Sequence, residues 1–394
     1  MQIRSVAKLR NLSGKKVFLR VDLNVPVAAG RIQDDYKIRA ALATIDWLRT
    51  RGARIIIATH LGEPAGPERA WSARPLARRL SALLKRPVVF SGAWHGAAVS
   101  RAARAIDRLR PGGLLMLENL RFEPGEYTDD AKWAKALAGL AELYVNDAFA
   151  VCHRRQASVS AIKKYSPSYA GLLLEQEVKA LYRVRKPRKP LVVVMGGAKI
   201  KTKAPLISKL RPAAARILLG GGLANNFFKF QGREVGRSLV DQDSAPIVRQ
   251  FFSGRRLDPK IILPLDVVVA DRKGRPRAVL PTAVRPSDRI LDIGPRTIAA
   301  YAAYIRSAQT LVWNGPLGKF EEASFKHGTL AIAGLIASRS SGRAYGVIGG
   351  GETVAALQLT KMAEYVDWIS TAGGAMLSYL GGERMPGLAK IVKP

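Results

Sequence analysis

Short β-branched or apolar runs alternate with helical patterns from one end of the chain to the other, which predicts parallel sheets covered by helices, an α/β fold. In the first half, residues 17–23, 54–59, 87–90, 114–117 and 143–146 read as strands, with helices over 37–51, 75–84, 94–109 and 130–140 between them. In the second half the strand pattern falls on 191–195, 216–219, 261–265, 310–313 and 344–348. Residues 173–185 have helical spacing and run into Lys186-Pro187-Arg188-Lys189-Pro190, after which a new βα series begins, so a hinge is expected there. No repeat with a period of about 20–50 residues interrupts this order, which sets aside solenoids and propellers.

A length of 394 residues exceeds one ordinary core and suits two domains. Hydrophobic residues at 48% and charged residues at 24% describe a globular chain. No apolar run approaches the roughly 20 residues that span a bilayer, and the start lacks the apolar stretch of a signal peptide, so no membrane association and a cytoplasmic location are expected. The single cysteine, Cys152, cannot form an internal disulfide. With no acid or amide partner identifiable for it, it reads as a small packing residue rather than a nucleophile. The formal net charge of +34 favours polyanionic partners: phosphate metabolites, nucleic acid or membrane surfaces. No helix-turn-helix, RRM or zinc pattern is present, so nucleic acid is expected only as a non-specific electrostatic partner. The densest basic run is RVRKPRK at 183–189.

In doubly wound sheets, ligands sit outside the carboxyl ends of the strands, and the informative residues fall there. Four glycine-rich turns mark the second half: Gly196-Gly197-Ala198-Lys199, Gly220-Gly221-Gly222, Gly349-Gly350-Gly351-Glu352-Thr353 and Thr371-Ala372-Gly373-Gly374. Glycine permits close backbone approach, and a helix N-terminus offers N–H groups to a phosphate. One such turn is ordinary βα sterics; four in one half point to phosphate. Lys199 and Lys203, four apart, share a helical face if a helix starts there, and are placed to balance charge on a transferring phosphoryl. Glu321, after Asn314 and its glycine turn, suits ribose hydroxyls, and Glu352 suits Mg²⁺. No Walker sequence or protein-kinase glycine loop occurs. In the first half the strand period puts Arg20, Asp22 and Asn24 on one face, and later strand ends present His60, Arg121 and the His153-Arg154 pair, a set suited to an anion with a hydroxyl.

These segments together resemble the phosphoglycerate kinase family from about residue 16 to 387. FLRVDLNVP, THLGEP, LENLRF, YVNDAF, GGAKIKTK, GGGLANNFF, DIGPRT, VWNGPLG, GGGET and STAGGA occur in the family's order. The resemblance implies two Rossmann-like domains with parallel sheets joined by a hinge helix. It places an N-terminal substrate-binding domain at 1–172, the hinge helix and linker at 173–190, a nucleotide-binding domain at 191–380 and a returning C-terminal segment at 381–394. It implies a monomer and reversible, Mg²⁺-dependent phosphoryl transfer between 1,3-bisphosphoglycerate and ADP, giving 3-phosphoglycerate and ATP, in glycolysis. By motif, Asp22, Asn24, Lys37, His60, Leu61, Gly62, Glu63, Arg121 and Arg154 fall in the acid-substrate site, with Arg20 in support. Gly197, Ala198, Lys203, Gly221, Asn314, Glu321, Gly350, Gly351, Glu352 and Thr353 fall in the nucleotide site. Lys199, Lys203, Gly373 and Gly374 attend the transferring group.

The chain departs from the family pattern at the site. Lys37 and Glu63 stand where arginines are expected, Gln156 where a histidine is, and Glu352 where an aspartate is. Lysine gives up the planar fork that grips phosphate in two bonds, and Glu63 reverses a charge. Arg155 or the Lys163-Lys164 pair is expected to replace part of the lost charge. The retained lysines and Glu352 favour an active kinase over the alternative, a weakened paralogue acting as a nucleotide- or nucleic-acid-binding protein.

Overall fold

The computed structural model describes residues 1–92 and 98–393, and in it the apolar runs of the first half line up as a six-stranded parallel sheet. Its strands are β1 (Lys16–Val21), β2 (Arg54–Ala58), β3 (Val88–Phe90), β4 (Leu114–Met116), β5 (Leu143–Asp147) and β6 (Ser168–Ala170), in the spatial order β3-β4-β2-β1-β5-β6. β1 is buried without a break from Val17 to Val21, as a strand covered on both faces must be. Helix Tyr36–Thr50 seals one face with Ile38, Ala41, Ile45 and Leu48, whose spacings of three and four form a single stripe. Because the chain winds one way from β1 to β2 and the other way from β5 to β6, the carboxyl end of β1 lies where the winding reverses. The helix expected over 94–109 is seen as Ala98–Asp107, and its expected start at 94–97 lies outside the described residues.

This sheet belongs to a compact unit comprising Met1–Lys179 and the C-terminal segment from Arg384. That segment is tied in by antiparallel pairing of Gln2 with Lys393 and Ile3 with Val392. Asn146 Nδ2 donates to Gly387 O at 3.1 Å, and Lys163 Nζ donates to the carbonyls of Pro386 and Ala389. Cys152 packs under Gly387, with burial pushing its thiol up to about 12, so it is a packing residue.

Ala180–Glu383 forms the second unit. Its six-stranded parallel sheet runs through β7 (Leu191–Met195), β8 (Ala214–Leu219), β9 (Ile261–Ile262), β10 (Thr310–Asn314), β11 (Tyr345–Gly349) and β12 (Trp368–Ser370), in the order β9-β8-β7-β10-β11-β12. The winding reverses between β7 and β10. Three features differ from the sequence expectation, the first being β12, a three-residue edge strand that the pattern does not predict. β9 stops at Ile262 rather than continuing to 265, since Pro264 has no N–H for a ladder. An antiparallel sheet follows, in which Val267–Ala270 pairs with both Pro276–Val279 and Arg289–Ile293. Its hairpin turn is held by Asp271, whose Oδ1 accepts the N–H groups of Lys273 and Arg275.

Candidate active site

In the first unit, the expected face of Arg20, Asp22 and Asn24 does not form, because β1 ends at Val21 and the latter two lie in the loop beyond it. Arg20 is fully buried. Its Nε donates to Ser158 Oγ at 2.9 Å, and Ser158 Oγ donates in turn to Glu126 Oε1 at 2.6 Å. Burial raises the Glu126 carboxyl above its ordinary range, partly offset by the Arg20 charge and the bonds from Ser158. Arg20 Nη2 reaches His60 Nδ1 at 3.2 Å. An arginine can only donate, so Nδ1 is the acceptor and the imidazole proton sits on Nε2. Burial first, then Arg20, Arg121, Lys37 and Arg154, hold His60 well below its ordinary pKa, so it is neutral near pH 7.

Around His60 the predicted substrate residues converge. Lys37 Nζ bonds Asp22 Oδ2 at 2.8 Å, and Asn24 Oδ1 accepts the Gly62 N–H at 2.9 Å. Gly62 has φ +61°, and a Cβ there would lie 2.1 Å from the Trp71 ring, so both conformation and space demand glycine. The loop is braced by Asn119, which was not singled out from the sequence: its Oδ1 accepts the Leu61 N–H at 3.1 Å and its Nδ2 donates to Leu61 O at 2.8 Å. Arg121 Nη1 donates to Gly62 O at 2.5 Å. Its Nε and Nη2 are buried and have no hydrogen-bond partner among the described residues. Buried, unpaired guanidinium N–H groups are costly unless a ligand completes them.

Glu63 lies within this cationic cluster. Its Oε1 is 3.1 Å from Arg154 Nη1 and 3.5 Å from Arg121 Nη1, so the reversed charge draws on both arginines. The expected compensation by Lys163 is not what the structure shows, since that side chain is spent on the carbonyls of Pro386 and Ala389. Arg155 faces Asp129 at 3.8 Å, and Lys164 is exposed. Gln156 is buried, and its Oε1 has no hydrogen-bond partner among the described residues.

In the second unit, three loops at the carboxyl ends of β7, β8 and β10 are laced by backbone bonds: Gly197 N to Pro316 O at 2.8 Å, Gly221 N to Leu317 O and Leu223 N to Gly197 O, both at 2.9 Å. A Cβ on Gly315, whose φ is +91°, would lie 2.3 Å from Gly196 O. A cavity of about 310 Å³ opens beside them, and Gly197, Ala198, Gly221, Glu321 and Glu352 line it. Leu239, Ile290, Leu291 and Pro316 give it an apolar wall that the sequence reading missed. Asp292 also lines the cavity, and burial pushes its carboxyl up to about 7.

Lys203 Nζ bonds Asn314 Oδ1, and Asn314 Nδ2 donates to Gly349 O at 2.6 Å. Burial lowers Lys203 to about 8, with the Glu352 charge opposing that shift. Lys199 is not on a shared helical face with Lys203: it is the exposed, extended N-cap residue of helix Ile200–Leu210, and Asp241 Oδ2 takes the Ile200 N–H at 2.7 Å. Thr353 is fully buried, with its Oγ1 accepting the Gly315 N–H at 2.7 Å, so its side chain fixes a loop. Gly350 caps helix Gly351–Leu359, and Gly373, with Gly374 next to it, opens helix Gly373–Leu380. A Cβ on Gly373 would lie 2.8 Å from Gly350 Cα, so these two turns touch.

Comparison with known proteins covers nearly all of the chain. Residues 6–383 match the family model described as phosphoglycerate kinase. The phosphoglycerate kinase of Thermomicrobium roseum is 45% identical over 385 residues, covering 96% of this chain and 97% of the relative. That of Moorella thermoacetica is 41% identical over 388 residues, covering 97% of each. The solved structure of phosphoglycerate kinase from Coxiella burnetii superposes with a TM-score of 0.85 at 37% identity, covering 98% of both chains. That from Pyrococcus horikoshii gives 0.82 at 31% identity, over 98% of this chain and 97% of the other.

Proposed function

Since the chain belongs to the phosphoglycerate kinase family, and is therefore a glycolytic phosphotransferase with a carboxyl group as acceptor, we propose that the cluster around His60 and Arg121 holds the phosphoglycerate, and that the cavity beside Gly197 holds ADP or ATP. The observation that carries this reading is Arg121, whose buried Nε and Nη2 are left for an anion to complete. Arg154, Lys37 and neutral His60 supply further donors, while Asp22 and Asn24 supply acceptors for a substrate hydroxyl. Glu126 and Ser158 act through Arg20, holding it against His60.

On the nucleotide side, the apolar wall accepts the base and Glu321 the ribose hydroxyls, while the laced glycine loops admit the phosphates to close backbone approach. Lys203 is the cation that meets charge on the transferring phosphoryl group. Among the described residues no group of three or more potential metal ligands occurs. The Glu352 carboxylate fits Mg²⁺, which takes one or two carboxylates and completes its shell with phosphate oxygens and water. Glu352 would hold it. When bound, Mg²⁺ supplies Lewis-acid charge neutralisation along the phosphate chain.

With acid and nucleotide sites on separate units, a closing movement about helix Leu172–Arg185 belongs to this reading; it brings acceptor and donor oxygens in line and excludes water. No helix among the described residues is long and apolar enough to cross a membrane, and the reading includes a monomer working in the cytoplasm. The relatives carry the enzyme's name, which leaves the weakened-paralogue alternative without support. The test is 3-phosphoglycerate-dependent consumption of ATP with Mg²⁺ in a coupled assay. Turnover is expected, and its absence at saturating substrates would sink the proposal.

A further inference from the structure

The basic run at 183–189 is not used by either site above, and the fold folds it into a concavity. Arg183, Lys186 and Arg188 leave the end of helix Leu172–Arg185 and face Arg343 across the first residues of β10 and β11, around a cavity of about 230 Å³. We propose that this cavity is a further anion site, which takes a small ligand carrying two or more linked phosphates.

Four observations carry it. Among the described residues none of these four cations has a carboxylate within ion-pair distance, whereas in another cleft Asp35 binds both Arg39 and Arg79. The single acid lining the cavity, Asp367, is committed to the backbone, its Oδ2 accepting the Gly346 N–H at 2.8 Å. Two of the cations are held in place, Arg183 with its guanidinium 4.5 Å from the Tyr345 ring centre and Arg188 by a 3.2 Å bond from Nη2 to Gln309 Oε1. Thr310 Oγ1 further fixes that wall by donating to Arg188 O at 2.8 Å. A solvated basic surface would need none of this bracing; like charges gathered in a concavity focus the field on whatever anion enters.

The cavity is distinct from the nucleotide cavity. Thr310 begins β10 and Asn314 ends it, so the two sites lie at opposite strand ends of one sheet, separated by about 13 Å of strand. It is smaller than the 310 Å³ cavity and has no apolar wall of comparable extent, so it suits phosphate groups rather than a base.

The test is calorimetric titration of the full chain with inorganic pyrophosphate. A site is expected that is unaffected by Lys203→Ala and weakened at least about tenfold by the double variant Lys186→Ser, Arg343→Ser. The double variant is expected to keep wild-type turnover in the absence of pyrophosphate, which also reports that it is folded. In the Lys203→Ala background, competition by ATP for the pyrophosphate site assigns it to a nucleotide's phosphate tail, and lack of competition assigns it to free linked phosphates; both support a phosphate site. Pyrophosphate binding that survives the double variant but is lost in Lys203→Ala overturns the proposal. So does binding of a short oligothymidylate through these residues when pyrophosphate does not bind.

Discussion

Around His60 the first unit presents its ligand site as side chains, long and charged, that already pair with one another: Lys37 with Asp22, and Arg154 and Arg121 with Glu63. Around Gly197 the second unit presents backbone, laced loop to loop, with Lys203 behind it. A side-chain site tolerates exchange, because a new group finds a new partner, and Glu63 does so between two arginines. The backbone site does not, because a Cβ at Gly315 would meet the Gly196 carbonyl at 2.3 Å. Of the four departures that the resemblance implies, Lys37, Glu63 and Gln156 fall in the first unit and Glu352 in the second.

The sharpest way to break this comparison is to remove Lys203, the cation bonded to Asn314 in the backbone half. Lys203→Ala is expected to lower kcat by about 10²–10³-fold while leaving the KM for phosphoglycerate nearly unchanged; an equal loss in both would mean that Lys203 grips the acid substrate instead. Next in size is Arg121→Ala, expected to weaken phosphoglycerate binding by about ten- to a hundredfold with nucleotide affinity unchanged, read by separate titrations of each ligand. Loss of both would show the halves to be coupled, not independent.

A smaller effect separates the halves by pH. Lys203 titrates near 8 in the folded chain against an ordinary 10.5. Nucleotide binding should therefore weaken as pH rises through 8, by up to about tenfold at one unit above it. Stability of the unliganded chain moves the other way. The unfolded state binds the extra proton between about 8 and 10.5, so this group's penalty on the fold shrinks as pH rises across that window. Lys203→Met should flatten both trends, and nucleotide affinity that stays constant across the window in the wild type would contradict the assignment. Phosphoglycerate binding over the same range is expected to be flat, since His60 is already neutral. Smallest is Glu63→Gln, which frees Arg154 and Arg121. Glu63 is 66% exposed and Arg154 42%, so solvent screens the pair, and only a few-fold fall in KM is expected. An unchanged KM would show that Glu63 does not compete with substrate.

Much of this was legible in the sequence where the signal is local. Leu191–Met195 is buried at all five positions and reads as a covered strand without further information. Arg121 and the glycine turns follow strand ends, and Lys203 sits in the first turn of the helix after one, where an α/β sheet puts its ligands. What escaped was non-local or short. The apolar wall is assembled from Leu239, Ile290, Leu291 and Pro316, three separated segments, none carrying a motif. The Val267–Ala270 hairpin is only four residues a side, too brief for its alternation to stand out. Lys163 looked like spare charge, because nothing in its neighbourhood along the chain announces carbonyls more than 220 positions away.

Those carbonyls set an order on synthesis. The first unit lacks the pairing partner of Gln2–Ile3, the acceptors for Lys163 and the glycine that covers Cys152 until residues 386–393 have been made. By then every residue of Ala180–Glu383 has already been made. A ribosome thus delivers the second unit complete and the first unit unfinished, against the usual rule that the earlier domain folds first. The half begun first is the half finished last.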